Sequence, residues 1–441
     1  MTEGKGNEEK WYYTFLPYNM AGGGTSNLIP LFMAQSLKAS VAEVGIVSAI
    51  TSIASVPANI LWGNLSDITK KRKPFILIGF FGMAAALALM GLSTTVSDYY
   101  LANFLLGLLA AAVAPVGTVL VLESFPKSEW GRRLGDFSKV GGIGWVIGLI
   151  LGIIWLMVFT GDSQELSMRA LFLLSSGLCL VAMFLAIKWV KEPEQTIDRR
   201  QVSPEDFDNV HLNIVERARY LPQRVMYTLQ VSSKNLRLCN FSVPLQKYYI
   251  IVFLAFCGFL SFYVALPIFL SEYVGLNNAN VFIVYLASSV TSALTYGWMG
   301  RLIGAKGGKR IQAMCFVGRI MIFPSFFLVT MIGLPSSSLF IVLLVLHAGA
   351  GLCWAGLSVA GHAIVGKMAY KEFRTQSLGM YNAVQGVATI TGSLVGGFVA
   401  TWFGYEVLFV LASGFIILSL AMLLLTDVDK EPAEMERQPT D

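Results

Sequence analysis

The sequence predicts an all-α polytopic membrane protein with twelve membrane-spanning helices, and three observations support this fold class. Of the 441 residues, 55% are hydrophobic and only 13% are charged, whereas soluble domains carry about 25% charged residues. Apolar runs of about 20 residues, the length that crosses a bilayer, recur along the chain. The second half of the chain also repeats features of the first half at fixed offsets.

We number the twelve apolar segments in chain order as spans 1 to 12. Their predicted bounds are 11–34, 41–62, 74–92, 99–122, 138–159, 166–190, 248–270, 278–299, 311–332, 338–365, 378–402 and 407–426. Residues 1–10 are polar and lack the apolar core of a signal peptide, so we expect span 1 to remain in the mature protein.

The basic residues predict the orientation. With both termini inside, inner segments hold 29 of the 32 Lys and Arg residues, and outer segments hold only Lys38 and Arg169. Cytoplasmic loops are enriched in Lys and Arg, which sets topology. We therefore expect a multi-pass protein of the cell membrane with cytoplasmic N- and C-termini.

Two offsets align the halves of the chain. A shift of 237 residues places Pro30 on Pro267 and Gly63 on Gly300. A shift of 244 places glycines of spans 4 and 5 on glycines of spans 10 and 11; the pairs are Gly107 and Gly351, Gly117 and Gly361, Gly142 and Gly386, Gly148 and Gly392, and Gly152 and Gly396. An even number of spans separates the halves, so they form a parallel repeat. This predicts two pseudo-symmetric six-helix bundles, at 11–190 and 248–426.

The remaining segments are polar. Residues 1–10 form a cytoplasmic N-terminus, 191–247 a charged cytoplasmic central loop, and 427–441 a cytoplasmic tail. Within the central loop, 204–221 is compatible with an amphipathic helix on the membrane surface. A solvated linker is the alternative interpretation.

The loop between spans 2 and 3 is the most informative motif. It reads Gly63-Asn64-Leu65-Ser66-Asp67-Ile68-Thr69-Lys70-Lys71-Arg72-Lys73, and its counterpart between spans 8 and 9 retains Gly300, Lys309 and Arg310. With twelve spans in two parallel halves, this motif resembles the signature of the major facilitator superfamily (MFS) of secondary transporters. Gly63, Leu65, Ser66, Asp67, Lys71 and Arg72 match the signature, while Ile68 replaces a base, Lys70 replaces a glycine, and Gly304 stands where the second copy would carry the acid.

The resemblance implies a gating role for this loop. Gly63 would let span 2 approach a neighbour closely. Asp67 could then accept hydrogen bonds at the N-terminus of span 11, where the helix dipole favours an anion. Such a contact would hold the cytoplasmic side shut; the alternative is that the basic run is only a topology signal.

Two further family motifs are altered. Asn103 precedes Gly107 where the family pattern has an arginine associated with proton handling, and Leu149 follows Gly148 where the antiporter motif has proline. Both departures argue against a typical proton-coupled drug exporter.

In this family spans 1, 4, 7 and 10 surround the central cavity, so the resemblance directs attention to their polar groups. Candidate cavity residues are Asn19, Gly23 and Ser26 in span 1, Asn103 in span 4, Tyr263 in span 7, and His347, Trp354 and Ser358 in span 10. The span 1 and span 10 sets each recur at helical spacing on one face. Tight packing for Gly23 and a hydrogen bond to a neighbouring helix for His347 are the alternatives.

Ionisable groups inside the spans are few. No Asp or Glu falls near mid-membrane, which leaves His347 as the titratable candidate for proton coupling. Arg319, within span 9, has no obvious acidic partner, and we expect it to extend toward the inner surface.

These features favour an alternating-access transporter of a small organic solute, neutral or amphipathic, with export favoured over uptake. A metabolite facilitator or symporter is the alternative within transport, and a non-transporting membrane sensor or scaffold is the alternative outside it. No catalytic constellation such as HExxH or a P-loop appears, so we do not expect an enzyme. We expect no cofactor, no metal and no nucleic-acid partner. We expect a monomer in the lipid bilayer, and the sequence leaves open whether a proton or another ion is coupled to transport.

Overall fold

The computed structural model describes residues 10–126, 129–159, 164–192, 241–369 and 374–428. All regular structure in these ranges is helical, and ten helices in them are long and apolar enough to cross a membrane. The central segment 204–221, with its expected amphipathic helix, lies outside the described residues.

Spans 2 to 10 follow the predicted order. Their bounds are Val41–Thr69 for span 2, Lys73–Leu92 for span 3, Val96–Ala110 and Val113–Ser124 for span 4, Trp130–Val158 for span 5, Gln164–Trp189 for span 6, Val243–Ile268 and the π-helical turn Phe269–Tyr273 for span 7, Asn278–Lys306 for span 8, Gly308–Leu328 and the 3₁₀ turn Val329–Ile332 for span 9, and Ser336–Met368 for span 10.

Span 1 is an interrupted helix. It begins with a 3₁₀ turn at Lys10–Thr14, continues as Phe15–Thr25, and resumes as Leu28–Gln35. The break at Ser26 and Asn27 lies just after Gly22-Gly23-Gly24, a glycine run that lowers the stability of a helix.

Spans 11 and 12 follow one another without a loop, over the 52 residues Arg374–Leu425. At 1.5 Å per residue this is about 78 Å, more than twice the bilayer core. Gly404 divides it, because its φ of 83° is a conformation that glycine adopts without steric cost. The two passes on either side complete the predicted twelve spans.

The chain divides into two compact units. The first comprises Met1–Ser26, Ile53–Leu151 and Leu166–Asn235, and the second comprises Asn27–Ser52, Gly152–Glu165 and Leu236–Asp441. The bundle boundaries expected from the repeat stay a prediction.

The internal repeat extends to packing within each unit. In the first unit, a Cβ on Gly148 of span 5 would overlap the carbonyl oxygen of Met20 in span 1. In the second unit, a Cβ on Gly392 of span 11 would lie 2.6 Å from the carbonyl oxygen of Cys257 in span 7. These glycines are 244 residues apart and their partners 237 apart, which are the two offsets found in the sequence. Each half therefore uses the same close backbone contact.

Aromatic side chains fill both cores. In the first unit Phe15 packs edge-on against Phe80 and Phe137, with ring centroids 5.3 and 4.8 Å apart. In the second unit Phe262 stacks on Phe323 at 3.9 Å. These contacts hold the helices that carry the candidate residues.

Candidate functional site

The loop between spans 2 and 3 is a tight turn that directs Arg72 into the first unit. Span 2 ends at Thr69, Lys70 has a positive φ of 51°, and span 3 begins at Lys73 with Pro74 in its first turn. Lys71 is exposed, whereas Arg72 is only 1% exposed. Within this run of four bases, Lys71 therefore faces out and Arg72 is internal.

Arg72 makes a buried ionic network. Its Nε and Nη2 donate to the two carboxylate oxygens of Glu123 at 2.7 and 2.6 Å, and its Nη1 donates to Asp67 Oδ1 at 2.9 Å and to Ser66 Oγ at 2.6 Å. A two-point pairing of guanidinium and carboxylate is among the stronger protein contacts. Burial disfavours the charged guanidinium, but hydrogen bonds and charge from Glu123 and Asp67 raise the pKa of Arg72 above its ordinary value.

A second carboxylate binds the start of span 3. Glu192, just after span 6, accepts from the backbone N–H groups of Arg72 at 2.7 Å and Lys73 at 3.0 Å. The Lys73 ammonium in turn donates to the carbonyl oxygen of Ile187 at 2.6 Å. A carboxylate at a helix N-terminus and a base at a C-terminus are both favoured by the helix dipole. The loop thereby connects spans 2, 3, 4 and 6.

The second copy of the loop repeats one of these contacts. Lys309 Nζ donates to the carbonyl oxygen of Leu424, near the end of span 12, at 3.0 Å. Leu424 is 237 residues after Ile187, so a loop base caps the sixth helix of each half. Arg310 is exposed, and Gly304 is exposed where the first copy has its acid.

The predicted gate is only partly visible in these contacts. The expected close approach at Gly63 is absent among the described residues, since a Cβ there would lie 3.9 Å from Pro115 Cβ at the nearest, and a Cβ on Gly300 would meet no described atom within 4 Å. Asp67 here accepts from Arg72. Its contact with span 11 stays a prediction.

Sequence reasoning missed both acidic partners of this loop. Glu123 directly follows predicted span 4, and Glu192 lies within the predicted central loop, 191–247. An acid at the end of a span, on the same membrane side as a basic loop, is the sequence signal that could have indicated either partner.

The span 1 candidates lie against span 5 in the first unit. Asn19 Nδ2 donates to the carbonyl of Phe15 at 2.8 Å, and Asn19 Cβ would lie 3.0 Å from a Cβ on Gly144. A Cβ on Gly23 would overlap the backbone of Trp145. Ser26 Oγ donates to the carbonyl of Gly23 at 3.2 Å. These contacts favour the packing interpretation for Gly23, while cavity roles for the others stay predictions.

Asn103 is buried in span 4 and turned toward its own helix. It is 1% exposed, and its Nδ2 donates to the carbonyl of Tyr99 at 2.8 Å. This hydrogen bond uses one of the two protons of the side-chain amide. Its expected pairing with His347 stays a prediction.

In the second unit, Tyr263 and His347 lie close together. Their ring centroids are 5.9 Å apart, and the imidazole also lies 4.7 Å from the Tyr285 ring and 5.9 Å from the Phe326 ring. His347 is 1% exposed, and its Nδ1 has no hydrogen-bond partner among the described residues. Aromatic faces, rather than acids, form the surroundings of the imidazole.

The other span 10 candidates lie farther along the same helix. Trp354 is half-buried, with its ring 6.1 Å from Phe256 of span 7. Ser358 is half-buried, and its backbone carbonyl oxygen lies 2.8 Å from His362 Nδ1. The structure thus places an aromatic wall beside a lightly polar face on span 10.

The expectation for Arg319 is wrong. Its side chain does not extend to the inner surface; it is 1% exposed in the second unit. Nη1 donates to the Tyr263 hydroxyl and Nη2 to the carbonyl oxygen of Ala350. The hydroxyl comes from span 7 and the carbonyl from span 10, so the sequence of span 9 alone could not reveal these polar contacts.

The spans have a second set of contacts at their ends away from the basic loops. Within the second unit, the side-chain amides of Gln35 and Asn278 exchange two hydrogen bonds, at 3.0 and 2.8 Å. The backbone N–H of Ala42 donates to Thr401 Oγ1 at 2.9 Å. Gly45 packs on Gly397, so that a Cβ on either would lie 3.1 Å from the other's Cα. We call these contacts the far-end seal; they join segments from the two sequence halves without any ion pair among the described residues.

The fold and the loop motif together define a membrane transporter class, and comparison with known proteins agrees. The family profile of the Major Facilitator Superfamily matches residues 14–354 and 316–440. The chain therefore belongs to the Major Facilitator Superfamily and is a multi-pass membrane transporter.

Curated relatives match over part of the chain. The multidrug resistance protein MdtG of Citrobacter koseri is 29% identical over 158 residues, which are 36% of this chain and 37% of that protein. MdtG of Escherichia coli K12 DH10B is also 29% identical over 158 residues, 36% of each chain. The chain thus aligns with little more than a third of these relatives.

Solved structures match over nearly the whole chain. The nucleoside transporter NupG superposes with a TM-score of 0.71 at 14% identity, over 95% of this chain and 98% of that one. A mutant of the peptide transporter POT gives 0.71 at 14% identity, over 95% and 93%. The human organic anion transporter MFSD10 (TETRAN) gives 0.61 at 14% identity, over 95% and 98%. Identities this low show the shared fold alone.

Proposed function

We propose that the protein moves amphipathic organic solutes across the plasma membrane by alternating access, with export as the favoured direction and both termini cytoplasmic. The observation that carries the substrate class is the aromatic cluster of spans 7, 8 and 9, where the rings of Tyr263, Tyr285 and Phe326 surround His347 of span 10. Aromatic walls with a few polar groups bind flat, partly apolar molecules. The partial similarity to MdtG, a multidrug resistance protein, supports export.

The two ends of the spans support the alternating-access part of the proposal. The far-end seal consists of amide hydrogen bonds and a glycine contact, which can separate without leaving a buried charge. By contrast, the Arg72 network contains a buried ion pair, whose separation would be costly. In this proposal the far-end seal opens and closes, the Arg72–Glu123 pair stays intact within its unit, and Asp67 makes the reversible contact with span 11 that the loop motif predicts.

An uncoupled facilitator is the second candidate, because of Asn103. This residue occupies the position of the family's proton-handling arginine, and its amide is bound to Tyr99 of the same helix. In an uncoupled facilitator, a proton gradient has no effect on how the solute is distributed across the membrane at equilibrium. A symporter or an exporter coupled through His347 would instead accumulate solute against its gradient.

The test is flux in liposomes containing the purified protein. A fluorescent amphipathic dye should show saturable movement, and Trp354→Ala should reduce it because the half-buried indole is part of the aromatic wall. Trp402→Ala is the control, since Trp402 is 70% exposed and is not part of this aromatic wall. Flux that does not saturate, or that both variants reduce equally, would favour the sensor or scaffold alternative. An imposed pH gradient separates coupled from facilitated movement.

A further inference from the structure

Arg319 is a fully buried cation in the middle of span 9. It is 1% exposed, and the rings of Phe259, Tyr263 and Phe323 lie 5.1, 5.3 and 5.5 Å from its guanidinium carbon. Arginine keeps its charge under all ordinary conditions. The second unit therefore holds a permanent positive charge inside an aromatic environment.

The guanidinium is incompletely satisfied by its neighbours. Nη1 and Nη2 each donate to a neutral oxygen, of Tyr263 and Ala350 respectively, and Nε has no partner among the described residues. His347 Nδ1, whose ring lies 5.9 Å from the Tyr263 ring, is likewise without a partner among the described residues. Arg319 Nε and His347 Nδ1 are thus two buried atoms without a hydrogen-bond partner among the described residues, and both side chains neighbour Tyr263.

No carboxylate within the described part of the second unit forms an ion pair with this charge. The acids in that part are near the span ends: Glu43, Glu165, Glu272, Glu406 and Asp427. Even Glu272, on the helix that carries Tyr263, is nine residues farther along, about 13 Å at helical rise. Buried charges in proteins are normally paired or bind an ion. Among the described residues, the Arg319 guanidinium therefore has no anionic partner.

We propose that Arg319 binds an anionic group of the transported solute, a carboxylate or sulfonate, so that the substrates are amphipathic aromatic anions. This inference rests on the proposed function and names the substrate class. When no solute is bound, the Tyr263 hydroxyl accepts the hydrogen bond from Arg319 Nη1. When the solute binds, its anionic group replaces this hydroxyl as the acceptor. The half-buried Tyr263 ring is the movable boundary of the site, and the aromatic side chains contact the apolar part of the solute.

The competing interpretation is that Arg319 only ties spans 7, 9 and 10 together. Both interpretations predict that removing the guanidinium changes stability, so stability alone does not separate them. They differ in charge selectivity: a structural arginine gives no preference between an anion and its neutral isostere. An anion site gives a preference that disappears with the guanidinium.

The experiment measures binding of 2-naphthoate and its neutral isostere 2-naphthamide to the full-length protein in lipid nanodiscs. We expect wild type to bind naphthoate at least about tenfold more tightly, which corresponds to one or two charge-assisted hydrogen bonds. Arg319→Gln should reduce this ratio to about one, and Arg319→Lys should retain part of it. Arg169→Gln is the control, because Arg169 donates to the carbonyls of Gly91 and Ser93 in the first unit.

A second variant keeps the test decisive if Arg319→Gln does not fold. Tyr263→Phe retains the ring and removes the competing acceptor, so naphthoate affinity should rise roughly three- to tenfold with naphthamide affinity unchanged. Unchanged or weaker naphthoate binding in this variant contradicts the proposal, as does equal binding of both probes to wild type. Saturable flux of naphthamide without any charge preference would overturn the anion site and leave the transporter proposal standing. If neither probe binds and the amphipathic dye does not move, both proposals fail.

Discussion

Removal of the Glu123 carboxylate is the most informative perturbation of the Arg72 network. In Glu123→Ala the guanidinium, with a side chain 2% exposed, loses a two-point partner that is itself 0% exposed. Breaking one side of a buried ion pair costs about 3–5 kcal/mol, because the remaining charge stays buried. Asp67 and Ser66 retain one hydrogen bond each, so we expect the lower part of this range.

Two milder variants set the scale. Glu123→Gln keeps an acceptor but loses the charge and one acceptor oxygen, which we expect to cost about 2 kcal/mol. Asp67→Asn also keeps an acceptor, and its carboxylate makes one 2.9 Å bond and is 22% exposed. Its cost should be below about 1 kcal/mol, as for other solvent-accessible pairs.

The assay is equilibrium unfolding in mixed micelles with increasing SDS, followed by tryptophan fluorescence. The double variant Arg72→Leu/Glu123→Leu should be more stable than Glu123→Ala, since it leaves neither charge buried. Equal destabilisation by Glu123→Ala and Asp67→Asn would refute the assignment of Glu123 as the main partner. A double variant less stable than Glu123→Ala would refute the argument from an unpaired charge.

Three further predictions concern packing and gating. Gly148→Ala should destabilise the protein by about 2 kcal/mol or more, because the new methyl group overlaps Met20. Gly142→Ala is the control: its methyl group meets no described atom within 4 Å, and it should stabilise the protein by up to about 1 kcal/mol. Equal effects of the two variants on the unfolding curve would contradict the close packing of Gly148 on Met20. Gly397→Val should prevent the far-end seal from closing, seen as faster labelling of a cysteine at position 35, with a valine at the open position Gly414 as the control. Asp67→Asn should reduce flux severalfold at normal expression and nearly normal stability; unchanged flux would exclude its gating role.

Much of the fold follows from local sequence signals. Hydropathy places the spans because each span must satisfy its backbone hydrogen bonds internally, within a bilayer of fixed thickness. The offsets of 237 and 244 residues predict matching contacts, and the pairs Gly148 with Met20 and Gly392 with Cys257 realise them. Gly404 marks the division between spans 11 and 12 because its positive φ suits glycine.

The partners of the charged residues could not be read in this way. Arg72 pairs with Glu123, 51 residues later, and binds Glu192 through its backbone, 120 residues later. Such pairs depend on which helices become neighbours in the fold. The periodicity of a single sequence does not indicate which helices these are, so the pairs could not be predicted. Arg319 shows the same limit, because the hydroxyl and the carbonyl that bind it come from two other spans. The position of the break in span 1, at Ser26 and Asn27, likewise has no sequence signal of its own.

The central claim, alternating access through the far-end seal, is tested most directly by locking that seal. Gln35→Cys and Asn278→Cys replace the two hydrogen-bonded amides with thiols, which a reducible bifunctional methanethiosulfonate can link. Of the five native cysteines, Cys179, Cys257, Cys315 and Cys353 are buried, and Cys239→Ser removes the fifth, which lies outside the described residues. Each single-cysteine variant treated with the same reagent is the control. We predict saturable dye flux in liposomes before linking, loss of flux after linking, and recovery on reduction. Flux that continues at the same rate with the seal linked would contradict the claim.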